Sequence, residues 1–177
     1  MNIEARRTYH DLYVALHRVH KDAPDTWNDV QCNYVLTSIM GGRKFAWRVV
    51  GITPAALQLW HERPDTMPGI ARMAGIVRAH LTPRLETTRR LVAPTDPLSE
   101  EEFFDIWLSG NETYLCLKKE NRRIAIREVI PIRNPDGDLF SSKRTHPHCG
   151  PLECEFLNKL WEARSSSGED ERREPPP

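Results

Sequence analysis

The sequence predicts an α+β fold: a single domain of short strands and several helices, spanning residues 1–163, followed by a disordered C-terminal tail over residues 164–177. Three observations predict it. Apolar residues recur at three- and four-residue steps near both ends of the chain, the period of amphipathic helices. Between them lie short runs rich in β-branched and aromatic residues, bounded by glycine, proline and asparagine. Helices and strands follow one another in no regular alternation, which favours α+β over a doubly wound sheet.

The elements follow in order. Ile3, Tyr9, Leu12, Tyr13, Leu16 and Val19 mark a first helix, which Asp22-Ala23-Pro24 ends. The run from Val30 to Met40 reads as a strand, and Phe45 to Val50 as its partner, with a hairpin turning at Gly41-Gly42. Thr53-Pro54 opens a helix through Leu57 and Trp60, with an N-cap residue followed by proline at the first helical position. Residues 63–69 form a loop, and Met73 to Ala79 a short strand leading to His80.

After Pro83 a helix carries Leu85, Thr88 and Leu91. Ser99 followed by Glu100, Glu101 and Glu102 has the pattern of a capping box, with acidic residues at the positive end of a helix. Gly110-Asn111 stops that helix. Thr113 to Leu117 and Ile124 to Ile132 are strand candidates, and Asn134-Pro135-Asp136-Gly137 is a turn. A last helix spans Leu152 to Ala163, with Phe156, Leu157, Leu160 and Trp161 on its apolar side. From Arg164 onward the chain has no apolar residue except proline, so burial cannot offset the entropy of ordering it.

Composition narrows the function classes. The chain has 177 residues, 39% hydrophobic and 28% charged, a globular rather than a disordered balance. Its 25 basic and 25 acidic residues cancel, so a nucleic-acid surface must come from local segregation of charge. Basic residues gather in 72–90 and 118–133, and acids in 96–112. The N-terminal residues lack the pattern of a signal peptide, and no apolar run approaches the roughly 18 to 20 residues of a membrane span. Cys32, Cys116, Cys149 and Cys154 lie in unlike contexts without the spacing of a disulfide framework. The expected compartment is therefore reducing, that is cytoplasmic, with no membrane partner.

The stretch from Met73 to Arg123 carries the most specific chemistry. It reads MAGIVRAHLTPRLETTRRL, then a helix, then TYLCLKKENRR. A strand that delivers His80, followed closely by proline and arginine, resembles the first strand of the HNH, or His-Me finger, nucleases. The segment Leu115 to Arg123 resembles that family's second, metal-holding half. The resemblance implies a variant ββα-type core, a divalent metal (magnesium or zinc), and a nucleic-acid partner. It implies His80 as the general base that takes a proton from attacking water, and Asn121 as a metal or orienting ligand. Ala79 stands where the family commonly has a carboxylate, which implies weak metal affinity unless Glu120 points inward. The chemistry is consistent: histidine titrates near neutral pH, and a cation offsets charge growing on the phosphate. Arg78, Arg84, Arg122 and Arg123, with Arg89 and Arg90 nearby, are the candidate phosphate contacts.

Other constellations compete. His146, His148, Cys149 and Cys154 offer four zinc ligands within nine residues, although adjacent His148 and Cys149 suit one ion poorly, and a loop before the last helix is the simpler reading. His10, His17 and His20 share one side of the first helix, either as a metal pair at His17 and His20 or as solvent-facing side chains. Cys116, within a strand, reads as a buried thiol. The alternative function is a non-catalytic binding or regulatory module acting through a protein–protein surface, with Trp47, Trp60, Trp107 and Trp161 as its aromatics.

Overall fold

The computed structural model describes residues 3–40, 47–121, 128–135, 137–141 and 147–170. Its elements are α1 (Ile3–Asp22), α2 (Asp29–Met40), β1 (Arg48–Ile52), α3 (Pro54–His61), α4 (Gly69–Arg72), β2 (Ile76–His80), α5 (Arg84–Val92), α6 (Glu100–Gly110), β3 (Glu112–Leu117), β4 (Ile130–Pro131) and α7 (Pro151–Asp170). The fold is α+β. Its residues form two compact units, each assembled from separated stretches of chain. The first comprises residues 1–48, 80–113 and 135–138, and the second residues 49–79, 114–134 and 139–177. None of the described helices is long and apolar enough to cross a membrane.

The first unit is helical. Tyr9, Tyr13 and Leu16 of α1 pack with Cys32, Leu36 and Met40 of α2, Leu91 and Val92 of α5, and Phe103, Phe104 and Trp107 of α6. Tyr13 stacks on Phe103 with ring centroids 4.5 Å apart, and its hydroxyl donates to Leu91 O. The capping box expected at Ser99 is present: Ser99 Oγ accepts from Glu102 N while the Glu102 carboxylate accepts from Ser99 N. Gly110 closes α6 directly against Thr87, whose Oγ1 and Cγ2 lie 2.3 and 2.5 Å from where a β-carbon would sit. Only glycine fits there.

Residues 29–40 correct the sequence reading, because the expected strand is helix α2. Asn28 Oδ1 accepts from Val30 N and Gln31 N, a side-chain cap for the first helical donors. Cys32, Leu36 and Met40 then return to one buried side every four residues. Tertiary packing overrides the strand propensity of the run. The proposed turn at Gly41-Gly42 lies outside the described residues.

The histidines of α1 are also corrected: they tie down the chain rather than face solvent. His17 is 1% exposed, and its Nε2 donates to Pro94 O at 2.9 Å. His10 Nε2 donates to Leu98 O at 2.8 Å and His20 Nδ1 to Trp27 O at 2.6 Å.

The second unit holds most of a four-stranded sheet in the order β2-β3-β1-β4. β1 and β4 pair antiparallel, with Gly51 opposite Pro131 and Ile52 opposite Ile130. Lys118 N donates to Gly75 O beside the start of β2, and Leu81 N donates to Glu112 O beside its end, so β2 and β3 also run antiparallel. Helix α3 begins as expected, with Thr53 Oγ1 accepting from Ala56 N. Val49, Ile52, Leu57, Trp60, Ile76, Leu115, Phe140 and Leu157 form the core, and Phe156, Leu160 and Trp161 of α7 pack against it. Helix α7 continues through Asp170, so residues 164–170 of the expected tail extend it, and residues 171–177 lie outside the described residues.

Candidate functional site

β2 ends at His80 because Leu81-Thr82-Pro83 follows, and proline cannot continue the ladder. Pro83 occupies the N-cap of α5, and Arg84 is its first residue. This tight change of direction folds Arg84 back onto the histidine four residues before it. Arg84 Nε donates to His80 Nε2 at 2.9 Å. That bond makes Nε2 an acceptor, so the neutral ring carries its proton on Nδ1.

Trp47 lies against both side chains. Its ring is 4.5 Å from that of His80, tilted by 52°, and the Arg84 guanidinium carbon is 4.6 Å from the Trp47 ring centroid. On another side the guanidinium lies 5.8 Å from the ring of Trp107. Both are cation–π geometries. Thr113 Oγ1 donates to Arg48 O at 3.1 Å, and Arg48 pairs with Glu112, so the strand ends that carry Trp47 are held in place. Burial pulls the Arg84 guanidinium down to about 10, which still leaves it charged at neutral pH. His80, Arg84 and Trp47 are each partly exposed. The first unit therefore brings an imidazole, a guanidinium and an indole into contact with one another, each side chain partly exposed.

The other candidates are placed elsewhere. Arg78 is corrected: it is 1% exposed in the second unit, and its Nη1 donates to Phe140 O at 3.4 Å, so it is not available to a phosphate. Glu120 Oε2 accepts from Thr53 Oγ1 at 2.8 Å and from Leu117 N at 2.7 Å. That carboxylate links the cap of α3 to the turn after β3. Asn121 is exposed in the same turn of the second unit, whereas His80 and Arg84 belong to the first. Arg122, Arg123 and His146 lie outside the described residues. Trp60 and Trp107 are core side chains, at 0% and 2% exposure. Cys149 and Cys154 come together with sulfurs 3.7 Å apart, while His148 is exposed. Among the described residues, no group of three or more His, Cys, Asp or Glu side chains is placed to hold a metal ion.

Cys116 is the buried thiol the sequence predicts, at 0% exposure. Burial, and then the charge of Glu120, push it up to about 12. Tyr114 is likewise raised to about 12, by burial first and then by Cys116 and Glu120. Both groups titrate later in the folded chain than in the unfolded one, so their contribution is intact below about pH 9 and is lost as pH rises toward about 12. Urea titrations should show unfolding free energy falling through that window by up to about 1.4 kcal/mol per pH unit for each of the two groups. Cys116→Ala should make the decline shallower; an identical slope would contradict the assignment.

Comparison with family models, with curated proteins and with solved structures finds no match to this chain.

Proposed function

We propose that the protein binds nucleic acid through the surface formed by His80, Arg84 and Trp47, and that His80 is the general base of any cleavage that follows. One observation carries the reading: the Arg84–His80 hydrogen bond at 2.9 Å beside the partly exposed Trp47 ring. An indole face stacks on any base, and a guanidinium pairs with a phosphate oxygen. Arg84 also opens α5, where the helix end carries partial positive charge. A phosphate that draws the guanidinium toward itself releases the Nε2 lone pair, and a base needs that lone pair to accept a proton from water. On the HNH resemblance a divalent cation would supply the electrostatic part of the chemistry.

The test is a fluorescence-anisotropy titration with labelled single-stranded and duplex DNA and RNA at two salt concentrations. Trp47→Ala should weaken binding by about 1–3 kcal/mol for each base it stacks. Arg84→Gln should weaken it across sequences and lower the magnitude of the salt slope by roughly one unit, because one phosphate contact is lost. Folded variants with wild-type affinity and slope would sink the proposal.

A protein-binding role has separate support in the second unit. Ile70 and Leu152 are 74% and 62% exposed, and Met67 lies near Ile70 in sequence. Their segments meet where Gly69 abuts Cys149 O and Cys154 Sγ. If the wild-type chain binds no nucleic acid at low salt, this apolar surface becomes the leading candidate.

A further inference from the structure

Two sulfur atoms in mutual contact are chemically more than two buried thiols. Cys149 precedes α7 and Cys154 lies in the first turns of that helix, with 3.7 Å between Sγ atoms. A disulfide has its sulfurs about 2.05 Å apart, so closure requires an approach of under about 2 Å. The loop between them is held by Glu153, whose carboxylate accepts from Gly150 N at 2.9 Å and from Phe140 N at 3.1 Å. Gly69 packs against both cysteines: a β-carbon there would lie 2.5 Å from Cys149 O and 2.9 Å from Cys154 Sγ. Glycine thus allows the close approach of this backbone to both cysteines. Cys149 is buried, whereas Cys154 is partly exposed.

We infer that Cys149 and Cys154 are a reversible modification site for small disulfides, closing to an intramolecular bridge by thiol–disulfide exchange. The difference in exposure orders the steps. The Cys154 thiolate attacks the small disulfide RSSR, forming a Cys154–S–S–R mixed disulfide and expelling RS⁻, which takes up the proton that Cys154 lost. The Cys149 sulfur, after giving its proton to solvent base, then attacks the Cys154 sulfur and expels the second RS⁻, which is protonated in turn. Two protein thiols are oxidised, one small disulfide is reduced to two RSH, and two electrons pass between them. Burial, and then the nearby Cys154, push the Cys149 thiol up, which assigns the first attack to Cys154 and makes the second step the slower one. Cys32 and Cys116 are buried, and neither shares a sulfur contact of this kind among the described residues.

Oxidised glutathione is a direct probe of the folded full chain. Mass spectrometry of the intact protein should show the loss of two hydrogens, and peptide mapping should locate the cross-link between Cys149 and Cys154. Cys149→Ser should stop at a stable glutathione adduct on Cys154, and Cys154→Ser should yield neither cross-link nor adduct at Cys149. Three results would overturn the inference: a wild-type Cys154 adduct that never closes, a bridge between chains in place of the internal one, or prior modification of Cys32 or Cys116. The wild-type measurement decides even if a variant fails to fold.

Discussion

On the proposed nuclease reading, replacing His80 with alanine should cut phosphodiester cleavage by about 10²- to 10⁴-fold while leaving nucleic-acid affinity near that of the wild type. The two effects separate because the imidazole and its neighbours have different tasks. His80 accepts its hydrogen bond from Arg84, so in this arrangement it is a neutral base rather than a cation. A neutral ring attracts phosphate little, whereas the Arg84 guanidinium keeps its charge when the ring is removed. The Trp47 face is retained as well. Single-turnover cleavage of labelled substrate with magnesium, manganese or zinc supplied, beside anisotropy titrations of the same variant, measures both quantities. Cleavage that persists undiminished in His80→Ala would remove the histidine from the chemistry. A wild-type chain that binds but does not cleave would limit the function to binding.

Trp60→Ala should cost about 3–5 kcal/mol of folding stability, the range for removing a large aromatic ring from a packed core. Trp60 is wholly buried, and its Nε1 donates to Asn158 Oδ1 at 3.4 Å. The Arg72 guanidinium lies 3.9 Å from the centre of its ring. Arg72 is itself 3% exposed, paired with Asp65 at 3.0 Å and donating to Trp60 O. Truncation therefore opens a void and also strips a nearly buried cation of its aromatic partner, which places the effect toward the upper end of the range. Domains of this size are commonly stable by about 5–15 kcal/mol, so the variant can be close to unfolding. Trp60→Phe keeps a π face for Arg72 and most of the volume, and should fall between the two. Urea unfolding followed by circular dichroism gives the comparison. A loss below about 1 kcal/mol would show that the surrounding core collapses around the gap.

Local signals carried much of the fold. Thr53-Pro54, Pro83 and the Ser99–Glu102 box mark the starts of α3, α5 and α6, because a helix end needs particular side chains to satisfy its first donors. Helix α2 was hidden because its apolar residues lie on more than one side. Val30 and Tyr34 are exposed while Cys32, Leu36 and Met40 are buried, so no single stripe shows the period. His80 at a strand end was readable from the residues around it. Its pairing with Arg84 was half readable: the arginine was identified, but as a phosphate contact rather than as the histidine's donor. Trp47 is separated from His80 by 33 residues in sequence and meets it only through strand pairing, which no local pattern encodes. Arg78 misled for the opposite reason. A charged residue in a short strand suggests a solvated face, yet β2 is covered on both sides up to His80. The cysteine-rich loop showed its ligating atoms, but whether two sulfurs would touch depended on where α7 begins.

The alternation of the chain between the two units has a consequence for synthesis. The first-unit core is assembled from α1, α2, α5 and α6, the last of which ends at Gly110. The second-unit core uses residues from Val49 onward but includes Leu157 of α7. As the polypeptide emerges from the ribosome, the helical core has all its pieces while Trp60 still waits for the helix that supplies Asn158. Vectorial growth therefore leaves the part of α3 that packs on α7 uncovered over the translation of nearly a hundred residues. That interval is the period in which a chaperone has most to shield.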